Sequence, residues 1–337
     1  MPHLAEHRPS TLDRWLAVVE PHLPVALLDC PARKRLNGAT HHLPADSLGV
    51  IEVRLAPDEP EVDLSIGLNQ PYQARQMAGQ LSPCHADEFL SRWAEGKWEQ
   101  LPTLWLEFDL NRGAANRPPP LLCAQLSPKT DPLWLADSLL PALHGQPLTA
   151  AQRELVLSCT REVPPSARLL YAFSLLSRPG NAVRLEILGL GPAEARDYLA
   201  RVAPHVLPTW AEIAPLLEGT ENPHLSFDIG ATGEVLPRIG LEGAFPRQPM
   251  REPRWAELLG RWVEIGLCSP EKRDAVLGWP GQDSFWTAPD RWPVEAVGVG
   301  GACVRFLSHL KVVGEAGRPP QVKAYLGLQH RLRPPRR

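Results

Sequence analysis

In five separate places this chain pairs two segments whose apolar and polar residues alternate one for one, and that pattern limits its fold more than any other feature. In 307–328, Leu310 and Val312 alternate with His309 and Lys311, and Val322, Ala324 and Leu326 alternate with Lys323 and Tyr325, around Gly317-Arg318-Pro319-Pro320. A period of two on either side of a Gly/Pro turn predicts an antiparallel hairpin. In 49–68, Ile51, Val53 and Leu55 oppose Glu52 and Arg54, and Val62, Leu64, Ile66 and Leu68 oppose Asp63, Ser65 and Gly67. In 104–126, Leu104, Leu106, Phe108 and Leu110 oppose Trp105, Glu107 and Asp109, while the return strand near 120–126 has no legible face. In 168–190, Val183, Leu185 and Ile187 oppose Arg184 and Glu186. In 224–245, Leu225, Phe227 and Ile229 oppose Ser226 and Asp228, and Ile239 and Leu241 oppose Arg238, Gly240 and Glu242.

The segments between the hairpins carry helical spacing and helix starts. Residues 11–20 open at Thr11, and 71–100 bury Phe89, Leu90, Trp93 and Trp98. Asp131-Pro132, Thr149 with Gln152, and Gly191-Pro192 read as helix entries. Another helix is expected from Thr209 and Glu212 with a kink at Pro215, and two more over 254–267 and 269–279. The order is α-ββ-αα-ββ-αα-ββ-αα-ββ-αα-ββ. Two architectures satisfy it: separate sheets in an ordinary α+β protein, or one sheet of ten antiparallel strands. If every apolar face is covered by helices, the polar faces turn toward one another. Ten strands close into a barrel too wide for side chains to fill, and closure removes the exposed edges. The expectation is an α+β fold: a ten-stranded antiparallel αββα barrel with a polar lumen, ringed by helices. Its lumen would hold Glu52, Arg54, Asp63, Ser65, Trp105, Glu107, Asp109, Arg184, Glu186, Ser226, Asp228, Arg238, Glu242, His309, Lys311, Lys323 and Tyr325.

Composition narrows the function classes. A formal net charge of -3 gives no global basic field for nucleic acid. The six cysteines have no CxxC or metal spacing, which reads as reduced thiols, and no apolar stretch reaches membrane-spanning length. With Glu6, Arg8 and Pro9 breaking the start, a cytoplasmic monomer without nucleic-acid or membrane partners is expected. The 38 prolines fall mostly between elements, as in short, stiffened loops. One domain over 1–330 is expected, followed by a disordered basic tail at 331–337. No GxGxxG after a strand, Walker loop, HExxH or GxSxG occurs, which disfavours nucleotide, zinc-protease and serine-hydrolase chemistry. His41-His42 reads as a loop pair and Cys84-His85 as structural, so no metal site is expected. Residues 268–281 (CSPEKRDAVLGWPG) have the look of a lid or portal.

In element order, over nearly its whole length, the chain resembles the αββα-barrel aromatic prenyltransferases, including the dimethylallyltryptophan-synthase type and the cyanobactin peptide prenyltransferases. Lys323-Ala324-Tyr325 is similar to the Lys-x-Tyr with which such enzymes hold a diphosphate. The resemblance implies metal-independent transfer of a prenyl group to an aromatic or peptide acceptor in secondary metabolism, with a prenyl diphosphate as co-substrate and no cofactor. It implies a cationic cradle from Arg54, Arg184, Arg238, Lys311 and Lys323, hydrogen bonds from Tyr325 and His309, and further substrate contact at Asp228. Glu107 or Asp109 would be the base. With only four tyrosines in the chain, Trp105 and Phe173 would stand in as the aromatic shield. A second reading keeps the barrel but tailors a ribosomal peptide, for instance by lanthionine-type addition of a cysteine thiol to a dehydroamino acid, with His309 or a carboxylate as base. A third makes it a non-catalytic peptide-binding barrel.

Overall fold

Ten of the eleven strands in the computed structural model hydrogen-bond edge to edge in a closed ring, every neighbour antiparallel. The structure describes residues 11–332, apart from 42, 46, 80, 82–84, 99, 112–118, 176, 177, 179 and 298–300. The strands are β1 Leu48–Arg54, β2 Val62–Leu68, β3 Leu104–Phe108, β4 Leu121–Gln125, β5 Arg168–Ser174 and β6 Val183–Leu188. They continue as β7 Glu221–Ile229, β8 Val235–Ala244, β9 Gly281–Asp283, β10 Gly301–Glu315 and β11 Arg318–Leu332. Ring order follows chain order from β1 to β8, then β10 and β11, and β11 returns to β1 with Glu52 opposite Tyr325. The two-sheet alternative is therefore excluded.

The alternation explains the closure. Ile51, Leu64, Leu106, Leu185, Leu225, Leu310 and Ala324 point outward and join helical side chains such as Trp15, Phe89, Tyr198, Trp255 and Trp262 in one continuous core. Each fully buried side chain of that size contributes about 1.5–3 kcal/mol, so turning any one strand over would cost several such terms at once. The helix Arg254–Glu264 shows the matching pattern, burying Trp255, Leu258, Leu259 and Trp262 at helical spacing. Caps sit where the residue types place them: Thr149 Oγ1 accepts from Gln152 N (3.1 Å), and Ser269 Oγ from Lys272 N (3.2 Å). Among the described residues, no helix is long and apolar enough to cross a membrane.

Several local expectations are corrected. The helix expected from Thr209 spans Leu207–Ile213, and Pro215 lies in the 3-10 turn Ala214–Leu217 that follows rather than kinking it. Cys30–Thr40 is a helix that the pattern does not reveal, capped by Asp29. The last turn is Ala316-Gly317, with Gly317 at φ +75°, and Pro319 and Pro320 belong to β11. Arg331 and Leu332 are strand rather than tail, while 333–337, His42 and Cys84 lie outside the described residues. The loop at 280–298 contributes β9, which pairs with Cys303–Arg305 on the part of β10 that overshoots the ring.

Residues 268–281 do not form a lid. The buried Lys272 ammonium donates to three carbonyls, that of Arg54 at the end of β1 (3.0 Å) and those of Ala56 (2.5 Å) and Glu59 (2.8 Å) in the β1–β2 connection. Trp279 Nε1 donates to Phe306 O and Gly327 O at 3.1 and 3.2 Å. The segment is pinned to the barrel wall at both ends.

Candidate active site in the barrel lumen

The polar faces enclose a cavity of about 310 Å³, within the range of small-molecule sites. Of the residues expected in the lumen, all but Arg54 line it. Arg54 packs behind the lining. It is ion-paired to Glu52, to Asp63 (2.7 Å) and to Glu61 (3.6 Å), so its charge is already answered.

On β6, β7 and β8 the charged and titratable inward residues fall into two layers, with Ser226 and Gly240 also lining the cavity. The first holds Arg184, Asp228 and Arg238. Arg184 lies opposite Asp228 and grips it with two bonds, Nε–Oδ1 at 2.6 Å and Nη2–Oδ2 at 3.1 Å. Burial opposes both charges, yet their mutual attraction prevails, so the Asp228 pKa lies below its usual value and the Arg184 pKa above. Arg178, just past β5, holds Asp109 in the same bidentate way at 3.1 and 3.2 Å. Arg238 has no carboxylate within ion-pair distance among the described residues, only Gln321 Oε1 at 3.5 Å. Burial, then the charges of Arg184 and Arg178, lower its pKa. Among the described residues, three guanidinium groups thus stand beside two carboxylates, and Arg238 is left to face the cavity.

The second layer holds Glu186, His224 and Glu242, with His309 and Lys311 beside them on β10. His224 Nδ1 donates to Glu186 Oε1 (2.6 Å) and lies 3.6 Å from Glu242 Oε2. Lys311 donates to Glu242 Oε1 (2.6 Å), and His309 Nε2 lies 3.3 Å from Oε2. Burial opposes the Glu242 charge, but Lys311 and the two histidines outweigh it and hold the carboxyl down at about 2. Burial lowers the His309 pKa to about 4, despite Glu242. His309 stacks on Tyr325, ring centroids 4.0 Å apart. Lys311 can cross to Glu242 because Gly240 lies beneath it; a Cβ there would meet Lys311 Cε at 2.8 Å.

On the neighbouring strands β11 and β1, Lys323 Nζ (2.7 Å) and the Tyr325 hydroxyl both donate to Glu52. The Lys-x-Tyr pair is thus spent on a carboxylate of the chain itself. Burial brings the Lys323 pKa down to about 8.

The opposite wall, β3 to β5, is apolar. Leu121, Cys123, Phe173, Leu175 and Ala182 form a cluster of their own inside the barrel, joined by Trp105 and Tyr171. Phe173 also carries Arg184 over its ring, 5.6 Å from the centroid. The indole of Trp105 lies over Gly67, where a Cβ would come within 3.1 Å of the ring. Burial raises the Cys123 pKa well above its usual value, so the thiol stays neutral. The exception on this wall is Glu107 of β3, with no ion pair or hydrogen bond among the described residues. Burial pushes its pKa up to about 7, against the pull of Lys311 and Arg184.

Arg178, His224, Tyr171 and Cys123 line the cavity without having been singled out as site residues from the sequence. Arg178 lies in a loop, where no period points inward, and Cys123 and Tyr171 lie on strands whose other face is equally apolar.

A closed ten-stranded antiparallel barrel, ringed by helices and polar inside, is the αββα fold of the aromatic prenyltransferases. Two solved structures place that likeness. Prenyltransferase PriB, in ternary complex with L-tryptophan and dimethylallyl thiolodiphosphate, superposes with a TM-score of 0.53 over 94% of this chain and 96% of its own, at 13% identity. The 5-dimethylallyltryptophan synthase from Streptomyces coelicolor gives 0.52 over 94% and 97%, also at 13% identity. At that identity the likeness is one of fold. No protein-family model matches the chain, and no curated protein matches it in sequence.

Proposed function

We propose that the barrel transfers an allylic group from its diphosphate to an aromatic or peptide acceptor, with guanidinium groups rather than a metal answering the diphosphate charge. The carrying observation is the arginine layer, three guanidiniums to two carboxylates, set beside an aromatic wall and an unpaired carboxyl group. Arg238 would take the diphosphate, with Arg184 and Arg178 adding to the field. As the allylic C–O bond breaks, its electron pair leaves on the diphosphate, while Trp105, Tyr171 and Phe173 shield the cation from water. The acceptor ring forms the new C–C bond and surrenders its proton to Glu107, whose pKa of about 7 suits a base at neutral pH. In this reading Asp109 holds Arg178, while Lys311 and Lys323 hold Glu242 and Glu52.

Because the structure of PriB holds L-tryptophan and dimethylallyl thiolodiphosphate, that pair is the first to test. Calorimetry with the unreactive thiolodiphosphate should show binding that Arg238→Gln weakens by about 10–100-fold, the loss of one charge-assisted contact. Mass spectrometry with dimethylallyl diphosphate and aromatic amino acids or short peptides then reads transfer. No diphosphate binding by the native protein would end the proposal.

A further inference from the structure

We infer that the second lumen layer is a zinc site, with Glu186, His224, Glu242 and His309 as its four donors. These residues come from β6, β7, β8 and β10, four consecutive staves of the barrel, and His224 lies directly opposite Glu242 in the ladder. The ligating atoms of Glu186, His224 and Glu242 all lie within 4.8 Å of one another.

The distances from Glu242 fit a tetrahedral ion. With bonds of about 2.0–2.1 Å, the donors of four-coordinate zinc stand about 3.3 Å apart. His309 Nε2 and His224 Nδ1 lie 3.3 and 3.6 Å from Glu242 Oε2. The Glu186–His224 edge, 2.6 Å, has to open, and His309, which stands outside the 4.8 Å grouping of the other three donors, has to turn toward them to complete the set. One Nδ1 faces two carboxylates, and a single N–H satisfies only the nearer; a cation between them would engage both.

The supports around the donors fit as well. Lys311 occupies Oε1 of Glu242 and leaves Oε2 to the ion, acting as the outer partner that fixes a ligating carboxylate. It also answers one of the two negative charges and leaves the other for the metal. Ser308 Oγ lies 3.1 Å from His309 Nδ1, the outer hydrogen bond that orients a ligating imidazole. Two imidazoles with two carboxylates favour zinc over magnesium or calcium, which prefer oxygen-only shells.

Chelator-treated full-chain protein titrated with zinc chloride in a calorimeter should bind one equivalent, and zinc should raise its melting temperature. Cobalt(II) in its place should give the strong visible bands of a four-coordinate site. His224→Ala should weaken zinc binding by at least the ~10–100-fold that loss of a mere outer support costs, and Glu242→Gln likewise. If Glu242→Gln fails to fold because Lys311 is stranded, Glu186→Gln makes the same test with the Lys311–Glu242 pair intact. Absence of stoichiometric binding overturns the inference, and so does zinc binding that survives these substitutions, which would mean surface histidines hold the ion. No allylic diphosphate enters the titration, so its result stands apart from the fate of the transferase proposal.

Discussion

The two inner layers of β6, β7 and β8 occupy the same strands, two to four residues apart, yet differ in kind. Arg184, Asp228 and Arg238 form a layer whose cations keep their charge at every working pH and whose geometry is set by paired, planar forks. Glu186, His224 and Glu242 form a layer whose centre is an imidazole shared by two carboxylates. Both layers are polar positions on an alternating strand; the side-chain type at each, guanidinium in one and imidazole in the other, separates fixed charge from exchangeable charge.

Substitutions test how different the layers and the walls really are. Arg184→Gln would leave Asp228 buried without its partner and should destabilise the protein by about 3–5 kcal/mol in urea unfolding. Arg238→Gln, in the same layer but without a carboxylate partner, should change stability by under about 1 kcal/mol; equal losses from the two would mean that Arg238 is no free cation.

Glu107→Gln should show a gap that depends on pH. The folded-state pKa of Glu107 is raised to about 7 from 4.5, so the folded chain retains a proton that the unfolded chain releases between those values. Wild type therefore loses stability as pH climbs through that window, and the variant does not. Its advantage should grow from nothing near pH 4 to about 3 kcal/mol at most above pH 7, read from melting curves across pH; a constant offset would remove Glu107 as the base. Gly67→Ala should cost least, about 1 kcal/mol, because Trp105 must shift by a few tenths of an ångström. A change in tryptophan fluorescence would report it, whereas an unchanged spectrum and melting point would mean that the ring does not rest on Gly67.

Much of the fold was legible because most hairpins have one greasy and one polar face, and a closed ring is the way to bury the first without exposing strand edges. Legibility failed where both faces are apolar. On β4, Leu121 points into the lumen and Leu122 into the outer core, and both are fully buried, so nothing alternates. Leu121, Cys123 and Tyr171 stayed hidden for that reason, whereas Trp105 and Phe173 were legible as a shield. The charged wall was visible as residue types but not as pairs: Lys323 and Tyr325 look like free donors until β11 is laid beside β1 and both meet Glu52. Glu186, Glu242 and His309 were each legible as lumen residues, but their grouping with His224 escaped, because metal spacing along a chain is a local pattern while these donors are spread from Glu186 to His309 and brought together only by ring closure.

That closure also dictates a timetable. Glu52 and its partner Tyr325 are 273 residues apart, so β1 leaves the ribosome with one edge bare and stays so until nearly the last hairpin has been made. A chain built this way should collapse early and finish late, as topologies dominated by distant pairings do. During that wait the flank of β1 is where two nascent copies would join in error.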